Sequence, residues 1–401
     1  MSAYPKFVAA LTLGGALLGP AAQQGAAQQS EPRFYREGNA WVEELTGTLP
    51  AARNLRVEIA VGAVHVDGTD QQNITYVLKA RTYGASEETA RRQFQNMHPS
   101  VRVQGETAVI ETQGWGASRT GGEVWVKVPR SLDGARLTTH GGAIDVNNIS
   151  GRLIAETAGG GINLNGLAGA GEATTLGGDI AVQAASADLR LHTNGGRISV
   201  NSAGGRLIAD TLGGDLYVGS AHGPVTLETN GGSIRVSRTD GDLKAQTAGG
   251  NIEVGDIGGT AVLETAGGAI RLNSARGSVR AETASGGIRL GRVQGGIRAE
   301  TAAGGITAEF AGPKLTDSTL ETAIGDITIY ISSSVACSVR AAIEMSAGHH
   351  IRSDFPELKV TSSGEEYGPR EQRATGTLNG GGPVLRLTTN MGDIQILKAH
   401  P

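Results

Sequence analysis

Glu264, Glu282, Glu300 and Glu321 recur at intervals of 18, 18 and 21 residues, each directly before a threonine. Glu156, Asp210 and Glu228 hold the same place in earlier repeats. A carboxylate row has two chemical uses. It can hold a divalent cation that relieves the mutual repulsion, or it can supply the acid and base that cleave a glycan. Arg280 and Arg298 stand two residues before Glu282 and Glu300, on the same side of an alternating strand. A solvated, salt-bridged face is the better expectation. The four glutamates are therefore a candidate site with no catalytic, metal or cofactor role assigned.

Other reactive residue types are scattered. His140, His192 and His222 fall at different places in their repeats, so no two form a column. His349-His350 near Asp354 is the remaining metal candidate and reads more simply as a polar loop. Cys337 alternates with Val335 and Val339, which suits a small buried side chain, and a single cysteine excludes an intramolecular disulfide. Calcium-binding nonapeptide coils require Gly-Gly-x-Gly-x-Asp, whereas Gly249-Gly-Asn-Ile-Glu-Val254 places Ile and Val where those ligands belong. No Gly-x-Ser-x-Gly, His-Glu-x-x-His or phosphate loop occurs. A formal charge of −4 over 401 residues gives no reason to expect nucleic acid as a partner.

The elements that must position these groups repeat with a fixed period. Thr139, Thr157, Thr175, Thr193, Thr211, Thr229, Thr247, Thr265, Thr283 and Thr301 are spaced by 18 residues, and Thr322 follows after three extra ones. Such a period marks a solenoid, because one repeat cannot bury its own apolar face. Counting from the threonine, apolar residues fall at −4 and −2 (Val225, Leu227) and at +5 and +7 (Ile234, Val236), with a small or apolar residue at +10. Alternation of period two puts each set on one face of a strand, with the threonine continuing the first set inward. Gly-Gly at +2 and +3 supplies the corners, read here as positions needing positive φ, and Asn194 and Asn230 before them fit the same need. The stacked threonine hydroxyls are expected to bond one another and the adjacent turn. With 62 glycines in 401 residues, helix is excluded over this region. Eleven coils about 4.8 Å apart make a rod roughly 50 Å long.

The flanks differ. Residues 1–27 read as a secretory signal peptide: Lys6, an apolar run from Phe7 to Leu18, and small residues up to a cleavage point near Ala27–Gln28. Residues 28–130 carry strand-like runs and one amphipathic helix over Ser86–Met97, with Ser86 as N-cap and Ala90, Phe94 and Met97 on one face. All three tryptophans (Trp41, Trp115, Trp125) lie there. A mixed α/β N-terminal cap is expected, since an open solenoid end is an aggregation edge. The regular solenoid spans 131–331. Residues 332–401 form irregular coils, with a long loop or hairpin inserted over 357–382.

These parts in this order resemble a bacterial adhesin-like family defined as a domain of unknown function. The likeness rests on Val126-Lys-Val-Pro-Arg130 before the first coil and on the repeated Gly-Gly-x-Ile-x-Val. It also rests on Asp354-Phe-Pro356, Gly376-Thr-Leu-Asn-Gly-Gly-Gly382 and Thr388-Thr-Asn-Met-Gly-Asp-Ile-Gln-Ile396. It covers about residues 35–398. The resemblance implies an all-β, single-stranded, right-handed β-helix and carries over no catalytic residue, because its motifs are turn glycines and core aliphatics.

The expected function is a non-enzymatic, exported envelope or surface protein, periplasmic or extracellular, without a transmembrane anchor. Its partner would be an envelope protein, a polysaccharide, or a second copy joined end to end. The alternative is a β-helix polysaccharide lyase or glycoside hydrolase. Against it, Tyr217 is the one outward aromatic expected in the regular coils, and the acidic row is expected to run along a flat face.

Overall fold

The computed structural model describes residues 28–113, 120–312, 315–346, 348–363 and 370–399; the expected signal peptide and Trp115 lie outside them. Each repeat is one coil, and each coil gives one strand to each of two long, parallel sheets. Val225–Thr229 lies between Leu207–Thr211 and Leu243–Thr247, with Thr211, Thr229 and Thr247 in register. Ile234–Thr239 lies likewise between Leu216–Ala221 and Ile252–Ile257. The register equals the sequence period, so every inward residue meets its own counterpart. Leu207, Val225 and Leu243 are buried on one sheet, and Leu216, Ile234 and Ile252 on the other. The +10 position adds a third inward column, in which Leu167, Ala185 and Ala203 pair in parallel as single bridges. Burying each such aliphatic contributes about 1.5–3 kcal/mol, and the repeat supplies it coil after coil.

The threonines serve the corner. Thr265 Oγ1 donates to the carbonyl of Gly250 in the coil before, at 2.9 Å. It also accepts from the amide of Gly268 three residues on, at 3.2 Å. The same pair of bonds recurs from Thr157 to Thr283. The hydroxyls thus satisfy the buried turn backbone of two coils and do not bond one another.

The Gly-Gly corners differ from the sequence expectation. The glycines of the regular corners such as Gly231 and Gly232 are not in the left-handed region, and neither are Asn194 and Asn230. What the second glycine provides is space: a Cβ on Gly232 would sit 1.9 Å from the carbonyl oxygen of Gly214. The corners of successive coils approach too closely for any side chain.

Stacking does not stop where the period stops. Asn54–Ile59 pairs in parallel with both Gly134–Thr139 and Thr107–Gln113. Ala63–Thr69 lies in the same way between Ile144–Asn147 and Thr120–Pro129. Residues 54–69 therefore form a coil held between the later strands Thr107–Gln113 and Thr120–Pro129 and the first regular coil. The other end mirrors this: Val384–Met391 and Ile394–Lys398 stack on Ser318–Ile324 and Ile327–Ile331. Cys337–Ile343 and Ile351–Ser353, earlier in sequence, lie outside them.

Antiparallel strands then close both ends. Ile74–Tyr83 covers Thr120–Pro129, and His98–Gln104 covers Thr107–Gln113. The hairpin of Lys359–Ser363 and Glu371–Leu378 covers Cys337–Ile343, so residues 357–382 supply paired strands. The helix Glu87–Gln95 starts at Ser86, whose hydroxyl accepts from the Thr89 amide, and it buries Ala90 and Phe94.

Candidate functional site

Position −1 precedes the inward threonine and faces outward, and the parallel register aligns Glu264, Glu282, Glu300 and Glu321 in one column. On the far side of each threonine, position +1 also faces outward, and here it is small: Ala248, Ala266, Ala284, Ala302 and Ala323. Between a wall of glutamates and a low wall of alanines the surface sinks to the threonines. The result is an open groove of about 1150 Å³. The earlier coils with Leu176 or Leu212 at +1, each more than half exposed, are outside it. The acidic row, expected along a flat face, lines a shallow and widely open groove whose opposite side is mostly alanine at +1.

Arginines occupy the neighbouring outward column. Arg280 Nε lies 2.7 Å from Glu282 and 3.9 Å from Glu264. Arg298 reaches Glu300 at 2.6 Å and Glu282 at 3.7 Å. Glu282 is thus held from both sides, with its side chain only 27% exposed. Gln246 donates an amide hydrogen to Glu264. Glu321 makes no ion pair among the described residues, while Arg386 enters the groove at its far end. Carboxylates at coil spacing repel, and the interleaved guanidiniums offset that repulsion. Glu228 and Glu344 extend the lining beyond the four glutamates of the candidate row.

The remaining candidates are not assembled. His349 pairs with Asp393 at 3.4 Å, and Asp354 accepts from the Lys398 amide at 3.1 Å. The amide of His350 also donates to Asp393, which with His349 holds that carboxyl below the usual carboxylate range. Among the described residues, no three His, Cys, Asp or Glu side chains converge to hold a metal ion. Cys337 is fully buried, and burial pushes its thiol up to about 11. The folded protein at pH 8 should therefore resist a thiol-specific disulfide reagent, reacting only after denaturation. Rapid stoichiometric labelling of native protein would contradict this placement.

The other sheet carries a second outward feature. Asn147, Asn165, Gln183 and Asn201 line a shallow depression together with Asp145 and Asn163, over a floor that includes Ala181 and Ser199. These amides keep the same 18-residue spacing as the glutamates, so their signal is present in the sequence. Amides carry no charge, so they stand apart from the pattern of titratable groups.

Comparison with solved structures finds weak likenesses, among them three to proteins named for adhesion or lipid binding. One is to a "putative cell adhesion protein" from Clostridium sporogenes, at 8% identity over 89% of this chain and 100% of that one, with a TM-score of 0.17. A second is to a "putative lipid binding protein" from Parabacteroides distasonis, at 13% identity over 71% and 94%, with a TM-score of 0.23. A third is to a "putative adhesin" from Parabacteroides merdae, at 11% identity over 73% and 93%, with a TM-score of 0.20. Superpositions this poor carry no argument about function. No curated protein matches the chain. The family model agrees with the resemblance read from the coil and tail motifs, since it spans both the later coils and the returning C-terminal strands. Residues 210–397 match the model of the Toastrack family, DUF4097.

Proposed function

We propose that this protein is an exported, non-enzymatic binding or scaffold module of the cell envelope or surface. The observation that carries the reading is the groove, whose carboxylates are spread coil by coil and clasped by Arg280 and Arg298. Catalysis needs an acid and a base focused on one bond. A row spread over several coils suits contact with an extended partner instead. Export is supported by the pattern of residues 1–27, and no helix among the described residues is long and apolar enough to cross a membrane. Antiparallel strands over both ends favour contact along the sides of the rod over end-to-end stacking.

A glycan-cleaving activity is the second reading, favoured by the concave, carboxylate-lined shape of the same groove. The two are separated by incubating the purified protein with acidic and neutral polysaccharides and following reducing ends and unsaturated ends. No product is expected. Turnover that disappears in Glu282→Gln and in Glu300→Gln would replace the binding reading with the enzymatic one.

A further inference from the structure

We propose that the amide-lined depression on the second sheet is a binding site for a neutral, extended oligosaccharide. The proposal rests on the binding-module reading and adds a ligand class and a surface distinct from the acidic groove. Its core is two adjacent outward columns. One runs Tyr217, Ser199, Ala181, Asn163, Asp145, His65, Trp125, each residue in register with the next. The other runs alongside it as Asn201, Gln183, Asn165 and Asn147.

The columns divide the chemistry of sugar recognition between them. The amides offer a donor and an acceptor each, the pairing that vicinal hydroxyls require. They are tied coil to coil, which fixes their orientation: Asn163 donates to Asp145 at 2.6 Å, Asn147 donates to Asp67 at 2.8 Å, and Asn201 donates to Gln183. Small Ala181 and Ser199 leave the floor low between Asn163 and Tyr217, so a ring can settle there. Aromatic groups bound the column. Tyr217 stands one coil beyond Ser199. At the other end Trp125, 42% exposed, stacks on His65 with ring centroids 3.8 Å apart, and His65 is fixed by Asp145 at 2.9 Å. One face of Trp125 is taken up by His65 and Tyr217 is half-buried, so the apolar face of a sugar would meet the exposed ring edges and the free part of Tyr217.

Charge selects the class. The depression itself, about 370 Å³, has Asp145 as the one charged residue in its lining and no lysine or arginine; Arg197 and Arg235 stand beyond it, around Tyr217, with Asp215 and Glu253 beside them. From Trp125 to Tyr217 the column spans six coil steps, roughly 30 Å. Its step is comparable to the rise of one sugar in an extended pyranose chain, so successive coils can meet successive sugars.

The test is affinity electrophoresis and calorimetry of the full protein against linear neutral β-glucan, xylan and mannan, with alginate as the acidic comparison. Binding to at least one neutral polymer is expected, and weaker or no binding to alginate. Tyr217→Ala and Gln183→Ala should each weaken it about tenfold, and Ala181→Phe, which fills the floor, should abolish it. All three sites are on the surface, and unchanged far-UV spectra and unfolding midpoints would show that the rod is intact. Failure to bind any neutral polymer, or binding unchanged by Ala181→Phe, overturns the proposal. Binding lost in Glu282→Gln but kept in Tyr217→Ala would move the site to the groove and leave the binding-module reading standing.

Discussion

Gly232→Ala is expected to unfold the rod at a urea concentration that Gly231→Ala withstands. The two glycines are adjacent and both look like turn residues, yet a Cβ on Gly231 meets nothing closer than 3.6 Å. On Gly232 it would lie 1.9 Å from the carbonyl oxygen and 2.4 Å from the carbonyl carbon of Gly214. Those atoms are backbone, held by the hydrogen bonds of the stack, and cannot swing aside as the tip of a side chain can. The same approach recurs at Gly250 over Gly232 and at Gly268 over Gly250. One methyl must therefore separate two coils or break the corner bonds of Thr229 and Thr247. A loss of about 3 kcal/mol is expected for Gly232→Ala and less than about 1 kcal/mol for Gly231→Ala. Circular dichroism across a urea series measures both. Equal midpoints would mean that the corners are not stacked as described.

Ile234→Asp should cost more, about 4–5 kcal/mol, because it places a carboxylate in a dry aliphatic column. Ile234 is fully buried and sits in register between Leu216 and Ile252. No cationic or amide group faces it from either neighbour, so the charge has no partner and must be neutralised or expelled. Arg235→Asp, one residue on and outward, exchanges an exposed ion pair with Glu253 and should shift the midpoint little. The contrast between adjacent positions tests the inward-outward alternation directly. A mild effect at Ile234 would place it outside the core.

Only the second of these predictions draws on what is legible from the sequence. The alternation at Val225, Leu227, Ile234 and Val236 is local, and the 18-residue period extends it to a parallel register without further information. The salt-bridged character of the acidic row was legible for the same reason, since Arg280 and Glu282 share one strand face. The groove was not read, although Ala266 and Ala284 stand two residues after Glu264 and Glu282, because the repeat does not say that small residues beside the inward threonine leave a low wall. The role of Gly232 was misread in kind: sequence records that glycine is needed, not whether its freedom or its small size is used. Coil order at the ends was hidden as well. Residues 54–69 and 384–398 follow the coil pattern, but a pattern says nothing of which neighbour a coil takes once the period is interrupted.

That order bears on how the molecule carries a mechanical load. In a simple solenoid the first and last coils have one neighbour each, so tension on the chain peels them away in turn. Here the strands Asn54–Ile59 and Val384–Met391 each have a neighbour on both sides. Tension arriving from the C-terminal side meets Ile394–Lys398 and Val384–Met391, each paired on both sides, and loads two ladders at once, in shear along the strand. From the N-terminal side it meets the antiparallel strand Ala40–Leu49 before Asn54–Ile59. Rupture on the C-terminal side then requires many hydrogen bonds to fail together, whereas a strand at the edge of the stack can be peeled away bond by bond.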